Sequence, residues 1–240
     1  MVRIIYTLVL GILMVSCTNS SYERTVVSVL NDRTETDFAL QPNADVIIPF
    51  FKLEGDMWQE GKFRYGNLTD LEHTSKYEVF LEGEVALFGN EFNRRSKVKQ
   101  FTQEVTTILD QDTDSLGYDH STIWEPIVKE LHLLQQDTLE HTRLYIFSDL
   151  RENADWFSTY RYSDMQLLKK NPEEVQLLYL EKAQQIIPSQ HINVIVVYQP
   201  QTLEEDQFFK DMSSLYREIF HQLGISISFV ANLKNTSYGT

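Results

Sequence analysis

Asp32, Thr34 and Thr36 place a carboxylate and two hydroxyls at alternate positions just past an apolar, β-branched run at residues 25–31 (TVVSVLN). Alternation beyond a strand end lets all three side chains point at one spot above a sheet. Oxygen-only donors of this kind suit a hard divalent cation, Mg²⁺ first, with Mn²⁺ or Ca²⁺ as the other candidates. A second apolar run, residues 143–148 (RLYIFS), ends against Asp149. If the two runs are neighbouring parallel strands, Asp32 and Asp149 face each other across the crevice where doubly wound sheets bind ligands. Two carboxylates so close repel each other, and a bound cation relieves the repulsion. Ser121 and Thr122 stand where a helix is expected to begin. Each can cap that helix or give the ion one more hydroxyl, and one residue can do the first job while its neighbour does the second. The competing reading of residues 31–37 is a solvated Asp/Thr turn at a strand end.

Other chemistries lack their residues. There is no GxGxxG, no GxxxxGK[ST] and no GxSxG, so neither a standard phosphate cradle nor a nucleophile elbow is present. His73, His120, His132, His141, His191 and His221 never fall three or four apart, which excludes a helical zinc pair. The single cysteine, Cys17, rules out a disulfide framework and a Cys-rich zinc site. A phosphatase with an aspartyl nucleophile wants Asp-x-Asp after its first strand. Thr34 stands at the third position here, so the chain is expected to bind and not to turn over a substrate. The 240 residues carry 21 basic and 35 acidic side chains, a formal net charge of -14, with 42% apolar residues. That is enough apolar chain for a core, and too few cations for broad binding to nucleic acid.

The elements that must position these residues follow from hydropathy. Strands are expected at 25–31, 62–68, 76–81, 143–148, 192–198 and 225–230, where β-branched and aromatic residues run together. The second and third should form an antiparallel hairpin. Helices are expected at 43–58, although Pro49 interrupts it, and at 91–110, 122–136, 172–187 and 203–223. Pro172 suits a first helical turn, and Gly224 suits a helix end. Strands alternating with helices predict an α/β fold: a doubly wound, mostly parallel sheet with helices on both faces and one antiparallel strand. In that topology the loop 111–121 lies over the same crevice as Asp32 and Asp149. No repeat or composition shift divides residues 25–240, which are expected to form a single domain.

The pattern Asp32-x-Thr34-x-Thr36, a hydroxyl at Ser121 or Thr122, and Asp149 after the fourth long strand resembles the von Willebrand factor type A domain and its metal-ion-dependent adhesion site. That family carries Asp-x-Ser-x-Ser after the first strand, a Thr or Ser in a middle loop and an Asp after the fourth strand. Here Thr replaces both serines. Leu150 replaces the glycine that usually follows the last Asp, and Arg33 adds a positive charge inside the first motif. The resemblance covers about residues 25–230 in element order. It implies a bound divalent cation and a protein ligand, whose acidic side chain often completes the ion's octahedron.

Residues 1–17 (MVRIIYTLVLGILMVSC) resemble a bacterial lipoprotein signal. Arg3 opens it, a 12-residue uncharged run from 4 to 15 follows, and small Ser16 precedes Cys17. The run is short for a bilayer-spanning helix. The resemblance implies cleavage after residue 16, acylation of Cys17, a polar tether through residue 24 and a place in the bacterial cell envelope. The expected function is a membrane-anchored, metal-dependent protein-binding module. The alternatives are a Rossmann-like metal-dependent hydrolase and a structural envelope subunit with a vestigial metal site.

Overall fold

Every residue from Thr25 to Asp32 is buried, as a strand at the centre of a sheet covered on both faces requires. The computed structural model describes residues 24–32, 40–68, 76–111, 122–137 and 141–233. Six strands, β1 (Arg24–Asp32), β2 (Glu60–Leu68), β3 (Lys76–Leu81), β4 (His141–Phe147), β5 (Ile192–Val197) and β6 (Ser226–Val230), form one sheet in the order β3-β2-β1-β4-β5-β6. β3 pairs antiparallel with β2, and every other neighbouring pair is parallel. Chain direction reverses its lateral march between β1 and β4, so the switch point lies at their carboxyl ends.

The helices are α1 (Ala44–Ile47), which continues into a 3-10 turn (Ile48–Phe51), α2 (Glu91–Gln111), α3 (Trp124–Gln136), α4 (Tyr162–Lys170), α5 (Pro172–Lys182) and α6 (Leu203–Gln222). Period-two alternation along β1 sends its side chains into two separate cores. Val27 and Val29 pack with Ile47, Phe51, Phe101 and Val105 on the α1–α2 side. Val26 and Leu30 pack with Ile127, Leu131, Tyr179 and Tyr216 on the side of α3, α5 and α6. Ser28 shares this second face, where its hydroxyl donates to Glu130 of α3 at 2.9 Å and Arg64 of β2 donates to the same carboxylate at 2.6 Å. The architecture is the expected doubly wound α/β sheet with one antiparallel strand.

Three local expectations change. The helix expected over 43–58 ends at Phe51, and its second half is 3-10. Pro49 has no N–H for the regular ladder, and Lys52 turns the chain with φ 52°. The helix from Pro172 stops at Lys182, where Ala183 and Ile186 close short turns instead. Helix α4 lies outside the expected elements; Leu168 is its one buried residue, so its apolar stripe is too thin to read. Gly224, by contrast, ends α6 with φ +64°, and a side chain there would press on Pro188. Among the described residues no helix is long and apolar enough to cross a membrane.

Candidate metal-binding crevice at the ends of β1 and β4

The register places Asn31 beside Phe147, so Asp32 and Ser148 are the next pair outward. The Ser148 hydroxyl donates to Asp32 Oδ2 at 2.9 Å and accepts from the Leu150 backbone N–H at 2.9 Å. One hydroxyl therefore fixes both the first carboxylate and the turn that carries the second. Asp149 Oδ1 accepts from the Arg151 N–H, and its Oδ2 pairs with Arg151 Nε, each at 2.9 Å. The Arg151 guanidinium also lies over the Phe208 ring at 4.6 Å. Asp32 is 1% exposed and Asp149 3%. Buried carboxylates need compensating partners, and these two take a hydroxyl and a guanidinium.

Leu150 is buried and has φ 65°. This is the left-handed region that favours glycine, at the position where the resembled family carries glycine. The backbone thus bends as a glycine would allow, while the isobutyl group fills the core.

Glu152 lies deeper. It is wholly buried, and its carboxylate accepts the backbone N–H groups of Ile123 (3.2 Å) and Trp124 (2.7 Å) at the start of α3. Burial pushes its pKa up to about 8; the Trp124 and Ile123 hydrogen bonds oppose that shift. Glu152 thus takes the first N–H groups of α3, a role expected of Ser121 or Thr122; Ser121 lies outside the described residues. The N-cap is Ile123, which has no capping side chain, and a carboxylate 29 residues away does the work. The carboxyl oxygens satisfy the otherwise orphaned N–H groups of the first helical turn whether or not the group is ionised. Glu152 thereby ties the start of α3 to the turn after β4. Beneath it, burial raises the phenols of Tyr179 and Tyr216 well above their ordinary range, and the charges of Glu152, Asp149 and Asp32 add to the effect at Tyr216. At the rim the Tyr198 hydroxyl donates to Glu205 at 3.2 Å.

The structure thus brings together Asp32 and Asp149, while Thr122 is partly exposed next to the start of α3. Thr34, Thr36, Ser121 and Cys17 lie outside the described residues, as does Arg33. Ser148 and the capping role of Glu152 were missed by sequence reasoning. A clue existed in the run Ser148-Asp149-Leu150-Arg151-Glu152, where four polar side chains within five residues follow the apolar stretch Leu144–Phe147. Among the described residues no group of three or more His, Cys, Asp or Glu stands close enough to hold a metal by itself. The donor set is two carboxylates with hydroxyls, which fits a hard cation sharing its shell with water.

No model of a known protein family matches this chain, and no curated protein matches it. Among solved structures, the chain is similar to the D319A mutant of the PilB minor pilin from Streptococcus sanguinis, at 10% identity and a TM-score of 0.48. The alignment covers 90% of this chain and 59% of the pilin chain, so this chain spans less than two thirds of that neighbour's length.

Proposed function

We propose that the chain is a lipid-anchored envelope protein whose von Willebrand factor type A-like domain binds a protein partner through a divalent cation and is not an enzyme. The observation that carries this reading is the pair Asp32 and Asp149, both buried at the ends of adjacent parallel strands. The strand order, the single antiparallel strand and the left-handed turn at Leu150 support it. Asp32, Thr34, Thr36, Asp149 and one of Ser121 or Thr122 would hold the ion. When bound, Mg²⁺ supplies a positive centre with exchangeable positions, which a partner's carboxylate can complete. Ser148 orients Asp32, and Glu152 ties the start of α3 to the turn after β4. An acidic partner would be repelled by a chain of net charge -14, so association should switch on with the metal.

Thermal unfolding tests the site. With a dissociation constant of about 0.1 mM, roughly 1 mM Mg²⁺ stabilises the fold by about 1.4 kcal/mol, a rise of about 3–5 °C in Tm for a domain of this size. Asp32→Ala should abolish the rise. Retention of an envelope protein that is lost with chelator and with Asp149→Ala would support metal-dependent binding, whereas turnover of phosphoesters would overturn the non-enzymatic reading.

The ion pair between Arg151 and Asp149 favours a second reading, a vestigial site whose own arginine takes the cation's place. Arg151→Ala removes that competitor and should tighten Mg²⁺ binding at least about tenfold, or about 1.4 kcal/mol. A metal-induced shift that is absent in the wild type and present in Arg151→Ala would establish the vestigial reading. Calorimetric titration of the two chains measures the difference directly.

A further inference from the structure

At the end of the sheet opposite the crevice, the chain presents three large apolar side chains almost entirely to solvent. Leu87 is 83% exposed, Phe88 85% and Phe92 81%. They follow β3, whose antiparallel course brings the chain out at the end where β1 and β2 begin. The stretch is well anchored. Phe88 and Gly89 both donate backbone N–H groups to the Val85 carbonyl, and Asn90 caps α2 by accepting from the Asn93 N–H at 3.1 Å. Gly89 lies flat on Trp58, so that a Cβ there would fall 2.0 Å from the indole ring. The buried Arg94 donates to the carbonyls of Met57, Gln59 and Glu82, locking this turn to the loop before β2. A rigid scaffold that holds several apolar side chains out in water marks an interaction surface.

The place of chain entry decides what covers it. β1 begins at Arg24, which pairs with Glu60 at this same end. Only six residues separate Arg24 from Cys17, a reach of at most about 25 Å. Charge agrees. Lys52, Arg94, Arg95, Lys97 and Lys99 are matched by Glu54, Asp56, Glu82, Glu84 and Glu91 across the two loops and the start of α2. The patch is therefore neutral, in a chain that would otherwise be repelled by anionic headgroups.

We infer that Leu87, Phe88 and Phe92 dip into the surface of the lipid bilayer that holds Cys17, so that the domain stands on the membrane with its crevice pointing away. This inference rests on the anchor reading for Cys17. Aromatic and Leu side chains enter the headgroup boundary of a bilayer.

The test uses the full, processed chain bound to vesicles of phosphatidylethanolamine and phosphatidylglycerol with brominated acyl chains, which quench tryptophan on contact. Two variants carry the probe: Phe88→Trp in the patch, and Leu203→Trp, an 89% exposed position at the crevice end. Side chains buried roughly 5–10 Å into the boundary should be reached by the bromines, so, once the wild-type emission of Trp58, Trp124 and Trp156 in the same vesicles is subtracted, the Phe88→Trp probe should lose about half its emission and the Leu203→Trp probe none. Protein that floats with the vesicles but shows equal emission from both probes overturns the inference while leaving the anchor standing. Protein that does not float overturns both. A dimer that shields Phe88→Trp from the bromines also overturns it, and assigns the patch to a second copy.

Discussion

Replacing Glu152 with glutamine should flatten the dependence of thermal stability on pH between about 5 and 8. Burial holds the folded-state pKa at about 8, above the ordinary value of 4.5. Within that window the folded chain keeps a proton that the unfolded chain has released. The stabilisation is thus complete below the unfolded value and is lost as pH rises through the folded one. One such proton changes stability by up to about 1.4 kcal/mol per pH unit, or roughly 3–5 °C in Tm for a domain of this size. Glutamine keeps a carbonyl for the Trp124 N–H and cannot ionise. Among the described residues the charge that raises the Glu152 pKa is that of Glu125, and the nearby phenols of Tyr179 and Tyr216 remain neutral across the window. Melting curves in chelator at several pH values make the comparison, and parallel profiles for the wild type and Glu152→Gln would contradict it.

The second large effect concerns Arg94. Its guanidinium is buried and serves three backbone carbonyls, with the Glu84 carboxylate 3.7 Å away. Arg94→Met preserves much of the volume but leaves those carbonyls without their donor. An unsatisfied buried acceptor costs about 1–3 kcal/mol, and the three together should cost at least about 3 kcal/mol. A fall in Tm of roughly 6–12 °C is expected. Arg94→Lys should recover only part of it, because an ammonium is a point charge and cannot reach three carbonyls with a planar fork. Urea titration of the three chains measures the order, and an Arg94→Lys variant as stable as the wild type would show that charge alone suffices.

The sheet was legible because its strands are buried on both faces and therefore read as unbroken apolar runs. Residues 192–197 have hardly any polar interruption. The two carboxylates were legible for a related reason: each is the first charged side chain after such a run, and parallel order puts both at one end. The capping of α3 was not. A local rule assigns it to a hydroxyl next to the helix, whereas the structure uses Glu152, which comes from sequence beyond β4. Nor could spacing reveal that Arg151 would turn back onto Asp149, since this depends on the Phe208 ring offering it a surface. Exposure of Leu87, Phe88 and Phe92 was hidden for the opposite reason. Apolar residues at a helix start look like core until the fold shows nothing packed on them.

Leu150 ties the crevice to folding order. A leucine by itself disfavours the left-handed conformation by roughly 1–2 kcal/mol, so the bend that carries Asp149 has no local tendency to form. It is held because the side chain is trapped in the core beneath. A glycine would let the turn exist in the unfolded chain, ready to meet an ion early. Leucine postpones it until β4 is seated between β1 and β5 and the core on that side has closed. The crevice therefore depends on that core, and any loosening of the packing beneath Leu150 should blur it before the sheet itself gives way.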